Sequence, residues 1–134
     1  MKSKKQKLRD EADKLYQATG LKILGGICLI CGGKASCIHH YIPKSVSTAL
    51  RYELRNGIPI CVKCHCRLHS SPDPESNNII RDKKGGKWLR DLRERRSKEI
   101  KADISFYQNA IIKLKKQLTK WTINSKSRGL DQWF

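Results

Sequence analysis

The sequence predicts an α+β fold in which a small ribbon-and-helix unit is stapled together between an N-terminal helix and a long basic helical region at the C-terminus. Three observations predict it. Two C-x-x-C pairs stand at Cys28/Cys31 and Cys61/Cys64, all 4 histidines lie between or beside them, and both ends of the chain carry helix-like apolar spacing. A chain of 134 residues holds one compact domain with a helical extension. Only 38% of its residues are hydrophobic against 31% charged, so the core is small and a cross-link or metal matters disproportionately to stability.

Residues 1–26 read as a basic amphipathic helix. Leu8, Ala12, Leu15, Tyr16 and Thr19 fall close to one face, and Gly20 reads as a stop. Residues 27–69 hold every cysteine and histidine, punctuated by Gly32-Gly33, Pro43, Asn56-Gly57 and Pro59. Within them, SCIHHYIP is a β-like run ended by proline. Strand alternation sends His39 and His40 to opposite faces, so they do different jobs unless the strand bends. CVKCHCRLHS reads as a helix following its knuckle, which places His65 and His69 about one turn apart on one side. Residues 70–85, SSPDPESNNIIRDKKG, read as a linker of turn formers.

Residues 86–134 read as a basic helical region, with strong helix formers from about Gly86 to Trp121. Ile104, Tyr107, Ile111, Leu114, Leu118 and Trp121 form one narrow apolar stripe. Such a stripe has two candidate partners: the N-terminal helix, or the same helix of a second copy in a homodimer.

The formal charge of +17 on so small a body attracts polyanions, with nucleic acid first among them. Residues 76–134 carry 16 Lys and Arg against 6 Asp and Glu, so most of the excess is C-terminal. Charge does not choose DNA over RNA. The N-terminal stretch has no apolar run of the length a secretory signal needs, and no segment is apolar enough to span a membrane. A reducing cytoplasm is therefore expected, where C-x-x-C pairs bind metal rather than form disulfides.

Two residues between cysteines let both thiolates turn onto one ion, and two such knuckles supply the four sulfurs of a tetrahedral structural zinc. Cys28, Cys31, Cys61 and Cys64 are its expected ligands, with Cys37 and Cys66 left over. The spacer between the knuckles leaves room for a functional insert. His65 and His69 make a two-point metal site, or one of them replaces a cysteine in the zinc shell.

Taken in order, C-x2-C, His39-His40-x-Ile-Pro, Asn56 and C-x2-C-His65-x3-His69 resemble the ββα-metal core of HNH (His-Me finger) endonucleases. The match covers residues 28–69. The resemblance implies a zinc-stabilised ββα-metal fold that hydrolyses DNA, with His40 as general base, Asn56 fixing the loop between the strands, and His39, His65 and His69 around a catalytic Mg2+, Mn2+, Ni2+ or Zn2+. The His-His pair resembles bacterial toxin nucleases. Lys44, Arg51, Arg55 and Arg67, close to the site in sequence, are candidate phosphate contacts that position substrate without reading its sequence. ALRYELRNGIPIC with the helical tail also resembles, less specifically, lambdoid phage recombination nucleases of the NinG (Rap) type, which act on branched DNA. Two other classes stay open: a non-catalytic zinc module that binds nucleic acid, and an adaptor recruiting a partner through the apolar stripe.

Overall fold

The computed structural model describes residues 1–70 and 73–127. Among them the chain is α+β, with five α-helices and a two-stranded antiparallel sheet. Helix α1 spans Lys4–Ile23 and opens on a capping box: Ser3 Oγ accepts from the Gln6 N–H at 3.2 Å while the Gln6 side chain accepts from the Ser3 N–H at 2.9 Å. The helix does not stop at Gly20. Gly20 is instead the point where α1 crosses the sheet, because a Cβ there would lie 2.6 Å from Ile38 Cγ1.

Strand β1 (Cys37–His40) pairs with β2 (Gly57–Ile60), setting Cys37 opposite Ile60, Ile38 opposite Pro59, His39 opposite Ile58 and His40 opposite Gly57. A single 3-10 turn, Leu54–Asn56, leads into β2, and helix α2 (Val62–Ser70) follows it. With one neighbour per strand, the sheet leaves Pro59 no ladder bond to lose on its open side.

Residues 74–84, which the sequence reading placed in a linker, form helix α3 (Pro74–Lys84). The Asp73 carboxylate accepts from the Ser76 N–H at 3.4 Å and its hydroxyl at 2.6 Å, Pro74 occupies the first turn, and Ile80 is fully buried. Ser, Asp and Pro favour turns and helix starts for the same local reasons, so composition did not separate the two. Ser71 and Pro72 lie outside the described residues. The C-terminal region divides into α4 (Gly86–Arg96) and α5 (Ile104–Ser127), and residues 128–134 of it lie outside the described residues.

The apolar stripe of α5 packs along α1. Tyr107, Ile111 and Leu114 join Ala12, Tyr16, Ile38 and Tyr52 in the main core, while Leu118 and Trp121 are half-buried and Ile104 is at the exposed end. A second cluster of Ile42, Leu50 and Leu92, with Tyr41 and Trp88 against it, seats α4 under the loop between the strands. Trp88 Nε1 donates to the Arg55 carbonyl at 2.7 Å and ties the two together. A third cluster holds only Ile60 and two cysteines, Cys28 and Cys64, as fully enclosed members. No helix among the described residues is long and apolar enough to cross a membrane.

Candidate metal centre

Cys28, Cys31, Cys61 and Cys64 bring their sulfurs within 4.8 Å of one another. Four thiolates about 2.3 Å from a common ion in tetrahedral array stand roughly 3.8 Å apart. Cys31 Sγ and Cys61 Sγ are 3.7 Å apart, so the arrangement fits a structural metal such as zinc. The second knuckle is the start of α2, where the Cys64 N–H points to Cys61 Sγ at 3.4 Å. Burial opposes ionisation of the Cys28 thiol, but backbone N–H groups of Cys31, Cys61 and Ile30 outweigh it and lower its pKa. Burial and hydrogen bonds to the other three thiols push Cys64 the other way. Four sulfurs this close cannot all carry charge unless a cation shares them.

The clamp holds the first turn of α2, and the next residue is His65. His65 and His69 stand on one face with their Nε2 atoms 2.9 Å apart. His39, on the β1 face that looks toward α2, completes a group of three imidazoles whose ligand atoms lie within 4.8 Å of one another. This group is separate from the four sulfurs, and His65 and His69 do not replace a cysteine in the clamp. Cys37 sits between the groups, its Sγ 3.5 Å from His65 Nδ1. Burial, then repulsion from His65, His69 and His40, pulls the His39 pKa down to about 4. Burial, then His69, lowers His65 as well. Neutral imidazoles with free Nε2 lone pairs are the form that binds a divalent ion, and these three could hold one.

His40 points to the opposite face of β1. Its ring stacks on Tyr16 with centroids 4.8 Å apart and planes 25° from parallel. His40 Nε2 lies 2.8 Å from the Arg51 carbonyl oxygen, an atom that only accepts hydrogen bonds. Nε2 therefore carries the proton, and Nδ1 is left with a free lone pair. Burial lowers the His40 pKa, helped by the charges of Lys44 and Arg51 and opposed by the bond to the Arg51 carbonyl. His39, His40, His65 and His69 all line one cavity of about 320 Å³, together with Gln17, Ile38, Pro43 and Lys44. Among the described residues no carboxylate lines it.

Asn56 is wholly buried. Its Oδ1 accepts from the Ile42 N–H at 2.8 Å, and its Nδ2 donates to the carbonyls of Ile42 at 2.9 Å and Leu50 at 3.4 Å. It does not line the histidine cavity, and its hydrogen bonds hold the loop between the strands. Of the four basic residues named from sequence, only Lys44 lines the cavity; Arg55 and Arg67 are exposed elsewhere on the surface. Arg51, expected as a phosphate contact, donates from Nε and Nη2 to the two oxygens of Asp13 at 3.1 and 2.8 Å. Asp13 and Gln17, on α1 and against the site, were not singled out from the sequence, and Tyr16, beside them, was read there only as part of the helix's apolar face. Their spacing of three and four marks one helix face, but nothing in the sequence tied that face to the histidines.

Comparison with known protein families, with curated proteins and with solved structures finds no match.

Proposed function

We propose that this protein is a metal-dependent endonuclease of the HNH type that hydrolyses DNA phosphodiester bonds. The observation that carries the proposal is the shared cavity: three imidazoles able to hold a cation on one side, and on the other a fourth whose free nitrogen is defined by a carbonyl. A zinc module that only binds nucleic acid needs neither. An adaptor working through the α5 stripe has less to recruit with, since the middle of that stripe is covered by α1.

In this reading His39, His65 and His69 would hold a divalent ion, which would supply Lewis-acid relief of negative charge on the scissile phosphate and the leaving oxygen. An all-imidazole set favours Ni2+ or Zn2+ over Mg2+ or Mn2+. His40 takes a proton from a water molecule at Nδ1; the resulting hydroxide forms a new bond to phosphorus as the bond to the leaving oxygen breaks. Lys44, at the cavity, holds a non-bridging phosphate oxygen. The cations of α3, α4 and α5 supply affinity for the backbone through counterion release, so binding weakens steeply with salt.

The test is incubation of supercoiled plasmid and of a synthetic branched DNA with the protein and Mg2+, Mn2+, Ni2+, Zn2+ or EDTA at low salt. Cutting that requires a divalent ion and is lost in His69→Ala supports the proposal. Salt-sensitive binding without cutting under every condition replaces it with the non-catalytic zinc module. A preference for the branched substrate would extend the resemblance to phage recombination nucleases.

A further inference from the structure

We infer that helix α1, outside the strand-and-helix unit that carries the metal ligands, sets the orientation of His40 through three positioning residues, Asp13, Tyr16 and Gln17. The inference rests on the nuclease reading of the site. Positions 13, 16 and 17 share one helix face; Tyr16 and Gln17 meet the end of β1, and Asp13 meets the loop residues Arg51 and Tyr52 that face it.

Tyr16 provides the wall. Its ring stacks on the His40 imidazole, and its hydroxyl donates to the Glu53 carbonyl at 3.0 Å, so the ring cannot swing away. The approach depends on Gly57, the residue opposite His40, where a Cβ would lie 2.8 Å from the Tyr16 hydroxyl and 2.7 Å from Ile38 Cγ2.

Asp13 acts through Arg51. The carbonyl that fixes the His40 tautomer belongs to Arg51, whose guanidinium is held by both Asp13 oxygens. Tyr52 ties the same knot, its hydroxyl donating to Asp13 at 2.7 Å. Gln17 takes the open edge of β1: its Oε1 accepts from the Ile38 N–H at 2.7 Å and its Nε2 donates to the Ile38 carbonyl at 2.9 Å. The side-chain amide thus replaces a missing neighbouring strand two residues before His40.

None of these contacts involves a cysteine of the clamp or an imidazole of the metal triad. Asp13 and Tyr16 therefore support the base from outside the metal triad, while Gln17 holds Ile38, the residue directly before the triad's His39. Asp13 is decisive because its side chain is 32% exposed and Asp13→Asn is nearly isosteric.

The experiment compares wild type with Asp13→Asn, Gln17→Ala, Tyr16→Leu and Tyr16→Phe. It measures single-turnover cleavage of supercoiled plasmid with Ni2+, affinity for a DNA duplex with EDTA, and metal content. We expect Asp13→Asn to cut about tenfold or more slowly, with DNA affinity and bound metal unchanged, and Gln17→Ala to cut more slowly with DNA affinity unchanged. Tyr16→Phe, which keeps the stacked ring, should recover most of the rate lost in Tyr16→Leu. If charge alone mattered, Asp13→Asn would bind DNA more tightly and cut no more slowly, and that result overturns the inference. So does a set of variants whose rates fall only in proportion to lost metal or lost DNA binding. A wild type that cuts alongside unaffected variants removes this inference alone, whereas a wild type that never cuts removes the nuclease reading with it.

Discussion

His65 and His69 bring their Nε2 atoms to 2.9 Å from each other, with both rings facing His39. Two neutral imidazoles at that distance share either a proton or a cation. The protein with its clamp filled should therefore take up one further Ni2+ or Co2+ per chain, and His69→Ala should weaken that uptake by about a hundredfold or more, since even groups behind a ligand are worth 10–100-fold. Calorimetric titration of both proteins reads this directly; equal affinities would remove the triad as a metal site.

Cys28 and Cys64 are enclosed with little apolar surface around them, and Ile60 is the only other fully buried residue of that cluster. A structural metal held by the four cysteines would replace the core the sequence does not provide. A strong zinc chelator, or Cys31→Ser, should lower the thermal midpoint by roughly 10 °C or more and release α2. Heating with circular dichroism detection checks it, and an unchanged midpoint after the metal is removed would contradict a structural role.

Asn56 makes all its hydrogen bonds inside the loop between the strands. Asn56→Ala strands the Ile42 N–H and two carbonyls in a buried site and should cost on the order of 3 kcal/mol. Asn56→Asp should be at least as damaging at neutral pH, because a carboxylate would face the Ile42 and Leu50 carbonyls without a proton to offer. Urea midpoints of the two variants decide it. A catalytic role for Asn56 would instead leave stability intact and lower the rate alone.

His39 has a pKa near 4 in the folded chain because burial and three neighbouring imidazoles disfavour its charge. The unfolded chain protonates this residue near 6.5. Between those values the unfolded state binds a proton that the folded state does not, so stability falls as pH is lowered from 6.5 to 4, by roughly 3 kcal/mol, and levels off below. His39→Leu lacks this term, while protonation of the zinc thiolates affects both proteins. The difference in urea midpoint between wild type and variant, followed from pH 7 to 4, should change by that amount; a constant difference would contradict it.

The knuckles and the His65/His69 pair were legible in the sequence because their geometry is local: one turn of chain fixes which ligands meet. The opposite facing of His39 and His40 follows from strand alternation in the same way. The helix α3 was not legible, because Asp73, Pro74 and Ser76 are equally the residues of a turn. Gly20 read as a stop since the demand for a missing side chain comes from Ile38, a distant contact. The Asp13 partner of Arg51 was not legible for the same reason, since it lies 38 residues upstream, and Gln17 meets Ile38 across 21. A tyrosine among apolar residues on an amphipathic helix reads as core, and Tyr16 is core; that it also walls His40 is a tertiary fact.

The central claim is that the free Nδ1 of His40 removes a proton from water beside a metal-holding triad, and the most direct measurement is the single-turnover rate of plasmid cleavage by His40→Ala, with metal content and DNA affinity measured on the same preparation. The expected rate is lowered by about 10²–10⁴ with the metal and DNA still bound. Cleavage at the wild-type rate, with metal and DNA bound as before, would contradict it.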